Sequence, residues 1–425
     1  MTFRSQFSLP SHRLRLFPGL VCSAAVASSL TLSGFTVPDQ DPSGSAVYSS
    51  PVQSIIGLPV TPVMPVTPVT PEAPAADDTG GMVWSDDDTA ASEPAPAAAP
   101  QVLPAQPAPQ DAAAATTLAG RAVQTPGSYK PSASTTGVVA GTRLTKYNTS
   151  GADLVISKDN TVLENLEIYG DIKIRAKNVT IRNSLLHGGS KAPGNPTAIV
   201  DATGSQVVNL RIEDSTIRPA RPHFNRDGIK GHDLTARRNL ISGTTDGMGI
   251  FNRPGGSPAA NVTVEANYIH SLTYFDYSSA HSDGTHNDGI QVQGGQNIRI
   301  AGNTIVANAV VGSGSRPGKY APHAGLGIML QQNVSKLSNV VVERNWVDNG
   351  TSSINIDNGK YSNITVTVRE NLLGRNQYKF NGSSTYPIRI INRGSSTVNG
   401  LNTNRWENTG ALLNSTVPTG IKYNR

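Results

Sequence analysis

An eight-residue pattern recurs seven times in the C-terminal part of the chain, and it limits the fold more than any other feature. Each copy reads apolar, polar, mostly apolar, two polar, then Asn or Ser, any residue, and apolar. The copies occupy residues 179–186, 210–217, 234–241, 262–269, 298–305, 340–347 and 366–373. Apolar and polar residues that alternate with period two predict short strands with one inward face. Repetition along the chain predicts a solenoid of stacked rungs.

The sixth position of the pattern carries the strongest signal. Its occupants are Ser184, Ser215, Asn239, Asn267, Asn303, Asn345 and Asn371. Asn tolerates left-handed backbone, and stacked amides hydrogen-bond between neighbouring rungs. We therefore expect these residues to lie at a sharp turn and to form a ladder. No helical periodicity of useful length competes, so the predicted fold class is all-β.

These repeats resemble the right-handed parallel β-helix proteins of the pectate-lyase-like superfamily. The resemblance covers residues 131–425 and implies a single-stranded right-handed parallel β-helix. It implies less about function, because the superfamily includes lyases, hydrolases, epimerases and noncatalytic adhesins or tail spikes. In the family, the carbohydrate groove lies on an outward sheet face that the longest loops enclose.

The N-terminal third predicts export and then a linker. Residues 1–37 carry Arg4, Arg13 and Arg15 before an apolar run, the pattern of an export signal. A retained membrane anchor and a lipid anchor at Cys22 are the alternatives. Residues 38–130 are rich in Pro, Ala and Thr, which predicts a disordered linker. We expect a secreted protein without a stable membrane span in its mature form.

Charge divides the chain unevenly. The first 130 residues hold 5 Lys and Arg against 10 Asp and Glu, whereas residues 131–425 hold 30 against 20. A basic domain favours anionic partners. The expected partner is an acidic polysaccharide. Nucleic acid is not expected, because the basic residues lack an interleaved series of aromatic side chains.

Short Ile-containing strands after each repeat predict a polar outward face. If Ile points inward, one outward row contains Lys230, Phe251, Gln291, Met329, Asn355 and Arg389. A second row, two residues further along each strand, contains His232, Arg253, Gln293, Gln331 and Asp357. The predicted substrate-binding residues on or beside this face are Arg226, Arg253, Gln291, Gln293, Asn355, Asp357 and Arg389.

Loop length points to the same region. The repeat intervals of 36 and 42 residues exceed the shortest interval by 12 and 18 residues, and long loops on a rigid scaffold usually carry function. The first long loop spans residues 274–288. The predicted catalytic residues, from this loop and the preceding strand, are His281, Asp283, His286, Asp288, Lys230 and Asp227. Tyr274 and Tyr277 are predicted to stack on sugar rings, with loop anchoring as the alternative.

The residue types favour a lyase over a hydrolase or an epimerase. A lyase needs a base and a cation that neutralises the uronate carboxylate, and Lys, Arg and His are available. A hydrolase needs two suitably separated carboxylates, and the polygalacturonase-type pattern of such residues is absent as a set. Asp-Gly pairs are also ordinary turns. A noncatalytic polysaccharide-binding solenoid is the alternative. No cofactor is clearly indicated, and calcium is a candidate ion.

Overall fold

Three parallel sheets form the folded region, and the chain passes through each sheet once per rung. The computed structural model describes residues 125–190, 197–278, 281–318, 325–378, 386–391, 396–413 and 421–424. Within these ranges, all pairings between strands are parallel, and the helical structure is one short 3-10 turn at Leu401–Thr403. The predicted all-β solenoid is confirmed.

Each sheet collects every third strand of the chain. The first sheet contains β1 (Thr145–Tyr147), β4 (Leu166–Ile168), β7 (Leu185–Leu186), β10 (Thr216–Ile217), β13 (Leu240–Ser242), β16 (Tyr268–Tyr274), β19 (Thr304–Val311), β22 (Trp346–Asn349), β25 (Leu372–Leu373) and β28 (Arg405–Trp406). The second contains β2 (Leu154–Ile156), β5 (Ile172–Ile174), β8 (Thr197–Ala202), β11 (Arg226–Gly231), β14 (Met248–Ile250), β17 (Ile290–Val292), β20 (Leu326–Gln331), β23 (Ser352–Asp357), β26 (Tyr386–Ile391) and β29 (Ile421–Asn424). The third contains β3 (Val162–Glu164), β6 (Thr180–Arg182), β9 (Leu210–Glu213), β12 (Leu234–Arg237), β15 (Ala259–Glu265), β18 (Gly295–Ala301), β21 (Leu337–Glu343), β24 (Ile364–Arg369) and β27 (Ser396–Asn399).

The core consists of in-register rows of aliphatic side chains. One row of the second sheet runs through Val200, Ile229, Met248, Ile290, Ile328, Ile354 and Ile388, all with no exposed surface. Burial of each such side chain contributes about 1.5–3 kcal/mol to stability. The predicted inward direction of the Ile residues is confirmed, and it sends the alternate residues of these strands outward.

The asparagine ladder forms as expected and gains one member, Asn404. Each side-chain amide from Asn239 onward donates to the carbonyl oxygen of the next Asn at 2.8–3.0 Å. The turn differs from the expectation in one respect, because the left-handed residue is the one before the Asn, as at Arg238 and Ala266. The Asn therefore serves as a buried hydrogen-bonding residue.

A second ladder lies at the turn into the third sheet, and here the side chains do occupy left-handed backbone. Its members are Asn160, Asn178, Asn209, Asp233, Asn261, Asn297, Asn339 and Asn363, each with a positive φ. Hydrogen bonds of 2.8–3.1 Å connect most neighbours. Asp233 is the one carboxylate among these eight described positions.

Residues 125–142 precede the first rung. They lie alongside the turn into the first sheet, where the buried asparagine ladder stands. The Gly137 amide donates to Arg238 O at 2.8 Å, and the Val139 amide donates to Asn183 Oδ1 at 2.8 Å. The predicted export signal (1–37) and all but the last residues of the predicted linker (38–130) lie outside the described residues. Within the described residues, no helix is long and apolar enough to cross a membrane.

Candidate functional site

Three carboxylates stack on successive rungs where the strands of the second sheet begin. Asp227, Asp246 and Asp288 each place Oδ1 against a backbone amide of the next rung, at 3.2, 2.8 and 2.8 Å. All three are at most 7% exposed. We call them the carboxylate ladder. These hydrogen bonds are the structural role expected of an Asp-Gly turn, and they use Oδ1 of each Asp. Oδ2 of each Asp can therefore bind other partners.

The glycine after each Asp is required by the close approach of the rungs. A Cβ atom on Gly289 would lie 2.5 Å from Gly327 O and 2.5 Å from Ile305 Cγ2. Gly228 and Gly247 meet the same pair of obstacles, a backbone oxygen and an Ile methyl group. The Asp-Gly repeat is therefore dictated by packing, and it brings the carboxyl groups together as a consequence.

Burial and mutual repulsion keep this ladder partly protonated. Burial raises the pKa of Asp288 to about 7, and the charge of Asp227 adds to the effect. Burial, followed by the charges of Asp227 and Asp288, raises the pKa of Asp246 well above its ordinary value. Burial also raises the pKa of Asp227, although the nearby Lys230 opposes the rise. At neutral pH the ladder can therefore both hold and accept protons.

Polar side chains connect the carboxylate ladder to the outward face of the second sheet. Lys230 Nζ lies 3.4 Å from Asp227 Oδ2, and Gln291 Nε2 lies 3.2 Å from Asp288 Oδ2. Gln293 Nε2 in turn donates to Gln291 Oε1 at 2.7 Å. The structure thus brings together five predicted site residues, Asp227, Lys230, Asp288, Gln291 and Gln293.

One residue of the first outward row differs from the prediction. Strand pairing places Lys173, Asp201, Lys230, Gly249, Gln291, Met329, Asn355 and Arg389 in register. The prediction of Phe251 for this row is wrong, because Met248, and not Ile250, pairs with Ile229. The missing side chain at Gly249 leaves space in which Lys230 Nζ lies 5.4 Å from the Phe251 ring centroid.

The second row is displaced in the same way. Phe251 follows His232 in this row, and Arg253 lies beyond it, so the prediction of Arg253 as a member is wrong. Arg253 instead forms an ion pair with Asp233 at 2.6 Å. Gln331 and Asp357 pair as predicted, and Gln331 Nε2 donates to Asp357 Oδ2 at 3.3 Å.

Three polar atoms along this outward face are buried without a hydrogen-bond partner among the described residues. They are His232 Nε2, Gln293 Oε1 and Asn355 Oδ1. An unpaired buried polar atom costs about 1–3 kcal/mol, so such atoms are uncommon unless a ligand or water satisfies them. The three residues lie on alternate rungs, after or within β11, β17 and β23.

Comparison with known proteins supports the architecture. Residues 225–403 match the family model described as Right handed beta helix region. The folded region is a right-handed parallel β-helix. No curated protein and no solved structure matches the chain. The match to the β-helix family covers the carboxylate ladder and both outward rows from Lys230 to Arg389, and it assigns no activity to them.

The long loop of the β-helix holds a separate pair of imidazoles. The rings of His281 and His286 stack with their centroids 3.8 Å apart, and His286 Nε2 lies 2.9 Å from Asp283 Oδ1. Hydrogen bonds between Phe275 and Thr285 close the loop at its base. The predicted catalytic residues therefore divide into a loop cluster of three and a strand cluster built on the carboxylate ladder.

The two predicted sugar-stacking tyrosines differ in position. Tyr274 is only 1% exposed, and its hydroxyl donates to Asp283 O at 3.0 Å, so the stacking prediction is wrong and its ring anchors the loop. Tyr277 is 52% exposed and packs edge-on against Phe224 at 4.7 Å between centroids. Tyr277 can still offer a ring to a sugar.

The two predicted substrate-binding cations Arg226 and Arg389 also differ in their surroundings. Arg226 is 1% exposed, and its guanidinium donates to both carboxylate oxygens of Asp171 at 3.1 and 3.2 Å. The prediction that Arg226 binds substrate is therefore wrong, because a buried ion pair already uses its guanidinium. Arg389 stands in the first outward row beside Asn355. Burial lowers the pKa of Arg389, and the charge of Asp357 opposes that change.

Metal binding gains no support from the described side chains. Among the residues that the structure describes, no group of three or more His, Cys, Asp or Glu is arranged to hold a metal ion. The calcium suggested by the sequence stays a prediction.

Two residues outside the predicted set belong to the site. Asp246 is the middle member of the carboxylate ladder, and its sequence signal was the Asp-Gly pair that it shares with Asp227 and Asp288. His232 adjoins Asp233, with Nδ1 2.7 Å from Asp233 Oδ2. The sequence signal for this pair is that Asp233 stands at a turn position where the other rungs carry Asn. That signal can be recognised only after the rungs have been aligned.

Proposed function

We propose that this β-helix binds an acidic polysaccharide along the outward face of the second sheet and cleaves it by β-elimination. The observation that carries the proposal is the set of three unpartnered polar atoms on alternate rungs, at His232, Gln293 and Asn355. Strands of a sheet are about 4.8 Å apart, so alternate rungs are roughly 10 Å apart. An extended chain of pyranose rings along the solenoid axis would offer hydroxyl groups at a comparable repeat.

The charge of this face supports an acidic polymer. The described cations of the two rows are Lys173, Arg175, Lys230 and Arg389, against the carboxylates Asp201 and Asp357. Low-dielectric surroundings strengthen the attraction between a buried cation and a uronate carboxylate. Lys230 is 5% exposed, and its Nζ lies 3.4 Å from Asp227 of the carboxylate ladder.

β-Elimination suits the groups on the face. The reaction requires neutralisation of the uronate carboxylate, removal of the proton from the adjoining carbon, and departure of the glycosidic oxygen. Lys230 is suited to the first task. The carboxylate ladder lies beside Lys230 and holds protons at neutral pH.

Hydrolysis is the second candidate, and the pKa of Asp288 favours it. A carboxyl group whose pKa is raised to about 7 is suited to act as a general acid. Asp227 and Asp288 lie two rungs apart, which is roughly 10 Å, close to the separation of carboxyl groups in inverting glycosidases. The two reactions differ in product, because only β-elimination leaves an unsaturated uronide.

We place the protein outside the cell on the basis of residues 1–37, whose composition is that of an export signal. An extracellular place would also give it access to polysaccharide too large to enter a cell.

The test is incubation of the purified chain with a panel of uronate polysaccharides, with and without calcium. Ultraviolet absorbance reports unsaturated product, and a reducing-end assay reports cleavage of either kind. We expect unsaturated product, and a fall of about tenfold or more for Lys230→Met, because a charge-assisted contact in a buried site is lost.

Lys177→Met is the matched control, since Lys177 is exposed at the turn and lies off the outward face. Reducing ends without unsaturated product, lost in Asp288→Asn, would support hydrolysis. Binding without either product would support the noncatalytic solenoid. No binding and no product on any polymer would contradict the proposal.

A further inference from the structure

A histidine and an aspartate form a buried pair at the end of β11. His232 is 1% exposed, and its Nδ1 lies 2.7 Å from Asp233 Oδ2. Nε2 of the same ring is buried and has no hydrogen-bond partner among the residues that the structure describes. A carboxylate that accepts the Nδ1 proton holds the imidazole in one tautomer and leaves Nε2 with a free lone pair. The pair therefore has the arrangement of an oriented proton acceptor.

Asp233 departs from the ladder in which it stands. Its counterparts on the other described rungs are Asn, and Asn261 Nδ2 donates to Asp233 Oδ1 at 3.0 Å as it would to an asparagine. Asp233 also accepts from Arg253 Nε at 3.0 Å and Nη2 at 2.6 Å. Burial opposes ionisation, but the hydrogen bonds from Arg253, Asn261 and His232 outweigh it and lower the pKa of Asp233. The ladder itself needs no charge at this rung.

Gly231 directs His232 to the outward face. Its φ is +144°, and a Cβ atom there would lie 2.2 Å from Ala202 O, so another residue would be displaced by the neighbouring rung. The two preceding rungs place Arg175 and Thr203 at the position of His232, and both are at least partly exposed. His232 thus continues an outward row, two residues beyond Lys230.

We propose that His232 is the catalytic base of the β-elimination and that Asp233 is its positioning residue. This inference rests on the proposed function. Nε2 takes the proton from the carbon that bears the uronate carboxylate, and the electron pair of that C–H bond forms the new C=C bond. The glycosidic C–O bond breaks, and its oxygen takes the proton back from the imidazolium.

Lys230 completes the reaction centre. Residues two apart in a strand are about 7 Å apart on one face, which suits a cation at the carboxylate and a base at the adjoining carbon. In the free protein Lys230 Nζ lies above the Phe251 ring, at 5.4 Å, next to His232 in the second row.

The test compares three variants, Asp233→Asn, His232→Phe and the control Asp214→Asn. Asp214 is a matched residue, because it has left-handed backbone, is 3% exposed and binds Arg238 through two hydrogen bonds of 2.8 and 2.6 Å. It has the same kind of ion pair as Asp233 without an adjacent histidine. Asp233→Asn restores the residue that the other rungs of the ladder carry.

We expect kcat for unsaturated product to fall about a hundredfold or more in Asp233→Asn and in His232→Phe, the usual effect of losing an oriented base. The loss should fall on kcat, with KM changed by less than about twofold, because the pair acts on the proton transfer and not on substrate binding. Asp214→Asn should lower the unfolding temperature and leave kcat and KM unchanged. Equal kinetics in Asp233→Asn and Asp214→Asn would overturn the inference.

The outcomes separate this inference from the proposed function. Unsaturated product that is insensitive to both His232→Phe and Asp233→Asn overturns the role of the pair and leaves the lyase proposal standing. Inactivity of the wild type on every polymer contradicts the proposed function and overturns this inference with it.

Discussion

At the scale of single residues, the site is defined by polar groups that the fold buries at a cost. Asp288 is 3% exposed, and its pKa is raised to about 7 by burial. A carboxyl group of this kind lowers stability at neutral pH, because the unfolded chain gives up the proton far more readily. Natural chains retain such residues most often at functional sites.

Asp288→Asn should therefore stabilise the protein at neutral and alkaline pH. Near pH 4 and below, wild-type Asp288 is protonated in the folded state, and its favourable contribution is lost as the pH rises through about 7. Each pH unit between the two pKa values is worth about 1.4 kcal/mol, so we expect a gain on the order of 4 kcal/mol at pH 8. Urea unfolding at pH 4 and pH 8 measures the difference.

Asp159→Asn serves as the control, because Asp159 is exposed and accepts one backbone hydrogen bond from Lys177. Its unfolding curves should run parallel to those of the wild type across the pH range. A gain at pH 8 that is no larger for Asp288→Asn than for Asp159→Asn would contradict the burial argument.

At the scale of the structural element, the buried asparagine ladder couples each rung to the next. Asn303 accepts from both the backbone and the side-chain amide of Asn267, at 2.9 Å each, and donates to Val264 O and Asn345 Oδ1. Deletion of one member leaves donors on one neighbouring rung and an acceptor on the other without partners. Such networks lose more stability than a single hydrogen bond contributes.

Asn303→Ala should lower the free energy of unfolding by about 3 kcal/mol or more, since several buried polar groups lose their partners. Asn303→Ser should lower it less, because a serine already serves at Ser215, where its hydroxyl oxygen accepts the Ser184 amide at 3.2 Å. Urea denaturation of both variants gives the comparison. An Asn303→Ala variant as stable as the wild type would show that the ladder contributes little.

The rungs of the β-helix could be predicted from the sequence, but the partners of several side chains could not. The spacing of Asn239, Asn267, Asn303 and their successors predicted the rungs, because a buried ladder tolerates few residue types. The placement of Phe251 failed because both Met248 and Ile250 follow a glycine and could be aligned with Ile229. The structure pairs Met248 with Ile229, which moves Phe251 to the second row. Arg226 and Tyr274 failed for another reason, since the sequence does not show that Asp171 and Asp283 O are their partners.

At the scale of the whole molecule, the β-helix arranges unequally spaced residues of the sequence in regular rows along one face. Parallel stacking places residues that are 18 to 42 positions apart on neighbouring rungs, and so aligns His232, Gln293 and Asn355 along one face. A linear site of this kind is suited to a linear polymer. Residues 131–425 carry 30 Lys and Arg against 20 Asp and Glu, which favours an acidic one.

The most direct test of the central claim is calorimetric titration of a long polyuronate oligosaccharide into wild-type protein and Gln293→Met. Methionine keeps the length of glutamine and removes the unpartnered Oε1. We predict that the variant unfolds at a slightly lower temperature, because the hydrogen bond from Nε2 to Gln291 is lost as well. It should bind about tenfold more weakly, since one hydrogen bond to the ligand is lost. Equal affinity of the two proteins, or equal affinity for a neutral polymer of the same length, would contradict the account.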